Sequence, residues 1–398
     1  MPARAEANPA NVRWYWPIAV ALVIVSVVYA FWWIPTRVRP WNDFAFVYAA
    51  GRSWLAGVSP YNFDRWNAEW AAIRPPETHV AQPMPFMYPP HWGPIAALMA
   101  LLPWPVAMRV WDAVNVLTYL GACIFSAKLV GVELQALARQ PSVWLVLAIA
   151  TLNPALRYSI FQSQMAIFST FGVVGAFWAW HEKKTVWLAV FAFIASLKPQ
   201  VGVLPLLYVF LNGGHAGVLW AAAASLITGF LSMVPTDLAR FPADIADNYL
   251  LHKRLDFNQP NEFSSLPALT AGYLSADMFM LIGPVLATVL VSVMTWMRRR
   301  GTAPAVFDDP LWQLSLVMAA TGALMPVHGY DLVIYTPLAF LAYRLKSTPT
   351  VLLLAGLIVM HRRLPLPAAF LTGGIAAVVV VAACRYRDGR LGFVKSRR

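Results

Sequence analysis

Long apolar runs separated by short polar breaks organise this chain. Ile18 to Ile34, Leu204 to Leu211, Ala276 to Trp296 and Phe370 to Ala383 are mostly hydrophobic, and several reach the roughly 17–25 residues that a helix needs to cross a bilayer core. Lipid admits only helices or closed barrels, and runs this long lack the alternation of barrel strands. The pattern therefore predicts an all-α polytopic membrane protein. Working back from the C-terminus, spans fall near 368–384, 350–360, 331–345, 310–326 and 276–297. Their Lys/Arg-rich ends alternate, which assigns Arg298-Arg299-Arg300, Gly213-Gly214-His215 and His181 to Lys184 to the cytoplasmic side. Four further apolar stretches, near 88–104, 107–127, 142–154 and 165–180, precede Lys183. An even number cannot join opposite sides, so either 88–104 or 142–154 is a half helix or re-entrant segment, or the span count differs by one. About 11 to 13 spans are expected in all.

Composition narrows the class further. The 398 residues are 59% hydrophobic and 12% charged, about half the charge of an ordinary soluble domain. The net charge of +12 does not point to nucleic acid, because the basic residues gather in short clusters between apolar runs, as positive-inside topology requires. The two cysteines, Cys123 and Cys384, each lie within an apolar run, and no disulfide framework or metal cluster is signalled.

A single domain, 1–398, carries two long outer loops and a basic cytoplasmic tail at 385–398. The first loop, 36–86, is far longer than an ordinary connection of about 4–6 residues. It holds two amphipathic stretches, Phe44 to Leu55 and Phe63 to Ile73, whose Trp54, Trp66 and Trp70, with Trp41 before them, suit helices lying at the headgroup level. The second loop runs from about 235 to 267.

The candidate chemistry lies at span ends. Asp43, after the first span, is an acid between aromatic residues; it reads either as a partly desolvated base or as the N-cap of an amphipathic helix. Tyr88 precedes Pro89-Pro90, which opens the next apolar stretch. Gln162 and Gln164, after Asn153-Pro154, offer amides to sugar hydroxyls or simply cap a span. Lys198, before Pro199-Gln200, is a lysine in an apolar run; it snorkels or faces a polar cavity. His328, Tyr330 and Asp331 form a fifth candidate group, which reads as a polar site or as an ordinary satisfied loop cluster. Asp308-Asp309 falls on the cytoplasmic side, and no zinc, calcium or phosphate-loop motif is present.

The ordered set resembles glycosyltransferase family 87, the polyprenol-phosphate-sugar-dependent enzymes of the GT-C superfamily. The matching stretches are Asp43 to Tyr48, Gly57 to Tyr61, Tyr88-Pro89-Pro90, Asn153-Pro154 with Gln162 to Gln164, Leu197 to Gln200, and His328 to Asp331. The family's commoner glycine before the glutamine is replaced by Ser163 before Gln164, or by Phe161 before Gln162. The resemblance implies a GT-C-like bundle and an inverting transfer of a hexosyl unit, mannosyl among the options, from a polyprenyl-phosphate sugar to a glycan or glycolipid on the outer side of the plasma membrane. It implies Asp43 as general base and His328 near the reaction centre, with Tyr61, Tyr88, Gln162, Gln164, Lys198, Gln200, Tyr330 and Asp331 as substrate-binding candidates around a common cavity. Arg52 is a further candidate for stabilising the leaving phosphate. No cofactor is called for, and a divalent-cation requirement stays open. The partners implied are the lipid-linked donor, the acceptor and membrane lipid, with no nucleic acid. A transporter or flippase of a lipid-linked sugar is the competing reading, but no pair of matching broken helices marks two halves of the chain.

Overall fold

The apolar runs fold as helices, and among the described residues there is no strand. The computed structural model describes residues 15–29, 32, 43–73, 84–131, 141–255, 262–270, 273, 275–303, 305–345, 348–360 and 368–387. Trp41, the flanks of the 36–86 segment and most of the basic tail lie outside them.

The N-terminal run forms α1 (Tyr15–Val28). The polar segment after it forms α2 (Asp43–Leu55) and α3 (Phe63–Ile73), the two stretches that its amphipathic patterning predicts. Their surroundings differ from the expectation. Trp54, Trp66 and Trp70 are 6%, 0% and 4% exposed, and Phe46 stacks on both Trp66 and Trp70. Indoles at a headgroup surface would keep a polar edge wet. Trp66 and Trp70 of α3 instead cover α2, which buries every residue from Phe44 to Gly51 and so needs apolar partners all round.

The stretch 88–104, one of the two candidates for a half helix, holds only a short helix. A 3-10 turn at Pro90–Trp92 leads into α4 (Gly93–Ala100), only eight residues and so about 12 Å long. Its two ends are tied to different elements: Trp92 Nε1 donates to Leu197 O at 2.8 Å, and Leu102 O accepts from the Tyr48 hydroxyl of α2 at 2.8 Å. The backbone of α4 lies so close to α2 that a Cβ at Gly51 would strike the Ala96 carbonyl.

The 27-residue α5 (Trp104–Val130) follows. Next, α6 (Pro141–Leu152) and α7 (Pro154–Phe161) meet at a 53° bend, because Pro154 cannot continue the hydrogen-bond ladder and the Asn153 side chain caps the new helix at Ala155 N. They are followed by α8 (Ala166–His181), α9 (Thr185–Ser196), α10 (Pro199–Val209) and α11 (His215–Met233). The apolar stretch from Pro199 to Met233 is a hairpin rather than one rod: Asn212 leaves helical geometry and Gly213 reverses the chain at φ 103°. Accordingly α11 runs back along α9 until its Gly229 and Ser232 reach Pro90 and Gly93.

The rest comprises α12 (Phe241–Lys253), α13 (Ala276–Arg299), α14 (Pro310–Leu324), α15 (Thr336–Arg344), α16 (Thr348–Met360) and α17 (Ala368–Arg387). By length and composition Trp104–Val130, Met280–Arg299 and the Pro199–Met233 stretch, the last folded here as two legs, are apolar enough to cross a membrane, and the bent pair would make a fourth; the other apolar helices are shorter than a full crossing. Leu219, Leu226 and Phe230 project outward from α11, as do Leu281, Val285 and Val289 from α13, the distribution of a surface facing hydrocarbon rather than water.

The two ends of the bundle differ chemically. At one end Arg298 Nη1 donates to Asn212 Oδ1 at 3.3 Å and its guanidinium lies over Trp180, while His181 meets Gln313 at 3.2 Å. Lys128 and Lys184 both lie over Trp178 there. Asp309 belongs to this end as the N-cap of α14, accepting from Leu311 N and Trp312 N. The acids and amides singled out above converge at the opposite end.

Candidate active site

Asp43 opens α2, and its backbone N–H donates to Gln162 O at 2.8 Å, which ties α2 to the end of α7. Its carboxylate is half-buried and is turned toward other elements. Oδ2 accepts from the Tyr88 hydroxyl at 3.2 Å and from Gln164 Nε2. Burial pushes the Asp43 pKa up to about 6, against the opposing pull of Lys198 and the hydrogen bonds from Gln164 and Tyr88, with Asp331 adding to the rise. Desolvation therefore outweighs the nearby cation, and the group titrates close to neutrality.

Gln164 is delivered by a helix C-terminus. After α7 ends, Ser163 adopts a left-handed φ of 54°, Ser163 N donates to Ile160 O at 3.0 Å and Gln164 N donates to Ser159 O at 2.8 Å. That pairing is a Schellman turn, whose left-handed position is usually glycine. The glutamine preceded by this position is Gln164, so the geometry separates the two amides that the sequence leaves as alternatives. Trp111 Nε1 holds the turn from α5 by donating to Ser163 O at 3.1 Å.

Lys198 sits at the break that Pro199 makes between α9 and α10 and is 3% exposed. It does not snorkel. Nζ meets Asp331 Oδ1 at 2.7 Å and Gln164 Oε1 at 2.8 Å, and lies 4.8 Å from the centre of the Tyr330 ring. Asp331, fully buried, also accepts from His328 N at 3.0 Å through Oδ2. The His328 ring stacks on Phe263 at 4.5 Å and leans on Tyr330 at 5.2 Å. The α6–α7 break positions this loop from beneath, since Asn153 Nδ2 donates to Leu332 O at 3.3 Å and the Ser159 hydroxyl donates to Tyr330 O at 2.6 Å.

These groups surround a cavity of about 490 Å³. Asp43, Tyr88, Gln162, Lys198, Gln200, His328 and Tyr330 line it. Gln164 and Asp331 do not; both are 0% exposed and stand behind the wall. Tyr61 also lies behind it, donating its hydroxyl to Tyr88 O at 2.5 Å. Arg52 points elsewhere and pairs with Glu69 at 3.6 Å. Burial raises the hydroxyl pKa values of Tyr61, Tyr88 and Tyr330 well above the usual tyrosine value, so all three remain hydrogen-bond donors.

Sequence reasoning missed Tyr158, His252 and Glu262, which also line the cavity. His252 comes from α12, which folds over the site with Asn248 Nδ2 donating to Phe86 O at 3.1 Å. Burial, reinforced by His328, lowers the His252 pKa to about 4, so its ring is neutral at pH 7. No motif marks these three residues; α7 brings in Tyr158 and α12 brings in His252. A second wall is apolar, with Phe46, Met84, Phe86, Met87 and Met280. Among the described residues no group of three His, Cys, Asp or Glu side chains is placed to hold a metal ion.

No curated protein matches the chain in a sequence comparison. The family model of glycosyltransferase family 87 matches residues 86–325. That interval covers more than half of the chain and contains Tyr88, Gln162, Gln164, Lys198 and Gln200; His328 falls just beyond it and Asp43 well before it, and both join the same cavity through the fold. The chain therefore belongs to glycosyltransferase family 87 and is a membrane glycosyltransferase.

Proposed function

We propose that this enzyme transfers a hexosyl unit, mannosyl among the options, from a polyprenyl-phosphate sugar to the hydroxyl of a glycan or glycolipid acceptor, with inversion at the anomeric carbon. The observation that carries the reading is the setting of Asp43: a carboxylate with a pKa of about 6, opening onto a cavity that it shares with a buried lysine. Asp43 takes the proton of the acceptor hydroxyl as that oxygen bonds to the anomeric carbon, and the bond from that carbon to the phosphate oxygen breaks. The lipid phosphate leaves with the electron pair. A base ionised at neutral pH yet close to its pKa suits this task and contributes about 10²–10⁴-fold.

The leaving group is already anionic and needs donors and positive charge more than a proton. Of the three N–H groups of Lys198, Gln164 and Asp331 take two, which leaves one for a phosphate oxygen. The Tyr330 hydroxyl, the His328 ring and the Gln200 amide also line the cavity and can donate to the phosphate. The apolar wall suits an isoprenoid chain. Because the Lys183-Lys184 and Arg298-Arg299-Arg300 clusters lie at the far end of the bundle, the positive-inside rule favours an outward-facing cavity, in a GT-C-like bundle of about 11 to 13 crossings in the plasma membrane. Nucleotide sugars are absent on that side, which favours a lipid-linked donor.

The test is transfer by purified protein in vesicles, offered a panel of polyprenyl-phosphate sugars. Asp43→Asn should lose at least about 10²-fold in turnover while binding donor as before. Near-normal turnover of that variant would reduce Asp43 to a structural residue.

A further inference from the structure

Gln164 was a candidate to touch sugar, but it has no access to the cavity. It is 0% exposed, and both of its polar ends are engaged: Nε2 donates to Asp43 Oδ2 and Oε1 accepts from Lys198 Nζ at 2.8 Å. These partners leave the amide a single orientation, because an ionised carboxylate only accepts and an ammonium only donates. No other residue type of this length offers a donor and an acceptor side by side without a charge. We infer that Gln164 is a positioning residue, a spacer that holds the Asp43 carboxylate and the Lys198 ammonium apart in fixed register and keeps them from collapsing into a direct ion pair.

The physical case rests on what that collapse would do. With the spacer removed, the ammonium of Lys198 would face two buried acids, Asp331 and Asp43. A direct Lys198–Asp43 pair would hold Asp43 in a strongly stabilised ionised form, a weak base, and would occupy the N–H needed by an anionic leaving group. With the spacer present, Lys198 is anchored to Asp331 at 2.7 Å and Asp43 keeps an environment dominated by burial. The Schellman turn makes the spacer rigid, since Gln164 N is itself bonded to Ser159 O. Around Asp43 the charged and titratable groups are Lys198 and Asp331, with the Tyr88 and Tyr330 hydroxyls; His252, Glu262 and His328 line the same cavity.

The role rests on Asp43 being the base, so its test includes a measurement independent of transfer. The pH dependence of the melting temperature, compared between the natural protein and Asp43→Asn, reports the Asp43 midpoint by linkage. The same comparison is then made in a Gln164→Met background, which keeps side-chain length and removes both hydrogen bonds, and in a Gln164→Ala background, which leaves a gap for collapse. The expected result is a midpoint near 6 in the natural protein, raised by about one unit in Gln164→Met, where the stabilising bond is lost and the spacing kept, and lowered by at least one unit in Gln164→Ala, where Lys198 closes on Asp43. A midpoint that moves in the same direction in both backgrounds, or in neither, overturns the spacer. In transfer assays kcat should fall in both variants with the donor KM changed less than about threefold; a rise confined to KM would make Gln164 a substrate contact and also overturn it. If the natural protein transfers none of the sugars offered, the proposed reaction fails, and the midpoints still decide the role of Gln164.

Discussion

Asp43 and Lys198 are opposite cases of charge inside a protein. The Asp43 pKa is raised from 3.8 to about 6, so between those values the folded state keeps a proton that the unfolded chain has released. Stability therefore falls as pH rises through that window. Asp43→Asn removes the term, and its melting temperature should exceed that of the natural protein by a few degrees at pH 7.5 and match it near pH 4; a constant offset across that range would show that the carboxyl does not titrate there. Lys198 is instead matched by Asp331, the two being 3% and 0% exposed in their side chains. Lys198→Met should cost about 3–5 kcal/mol by leaving Asp331 buried without a counter-ion, and adding Asp331→Asn should restore most of the loss. If Lys198 serves the leaving phosphate, that double variant melts near the natural protein and still transfers less than about 1% as fast. Recovered transfer would leave the pair a purely structural one.

Helix α2 carries the base, and its placement depends on the close contact at Gly51. A Cβ there meets the Ala96 carbonyl backbone and the Ala100 side chain, so Gly51→Ala must separate α2 from α4. The expected loss is about 1–3 kcal/mol, seen as a lower melting temperature in detergent, with transfer reduced more than stability because Asp43 moves with the helix; unchanged melting would mean that the contact yields freely. The bounds of α2 and α3 were legible because the turn-forming Gly57 to Asn62 separates the two stretches. Their burial was not legible. Tryptophans at an interface and tryptophans in a core read alike in sequence, and only the stacking of Phe46 on Trp66 and Trp70 distinguishes them.

Across the whole molecule, the cavity and the basic clusters occupy opposite ends of the bundle. In a background lacking the natural cysteines, single cysteines at positions 64 and 273, both exposed, should react with an impermeant thiol reagent on intact cells. Cysteines at positions 183 and 299, also exposed, should react only after permeabilisation. Labelling of 299 with 64 on intact cells would overturn the outward orientation of the site. The crossing count is less direct to read than the polarity, because the sequence shows where apolar runs stop but not whether the chain goes on or turns back. The 53° bend at Asn153-Pro154 and the reversal at Gly213 are backbone events, with proline and glycine as their only sequence traces.

What the sequence by itself determined is the class of the protein, its helical character, the clustering of positive charge between apolar runs and the polar motifs from which the site is drawn. Those properties follow from local composition and from the rule that backbone polar groups in lipid must be satisfied within a helix. Only the tertiary structure decided which motifs meet and in what capacity. It set Gln164 and Asp331 behind the wall, brought His252 and Glu262 onto it, and made Lys198 a buried partner rather than a snorkelling charge. Such outcomes depend on which helices pack together and on how far each charge is withdrawn from solvent, and neither is encoded in the spacing of residues along one chain.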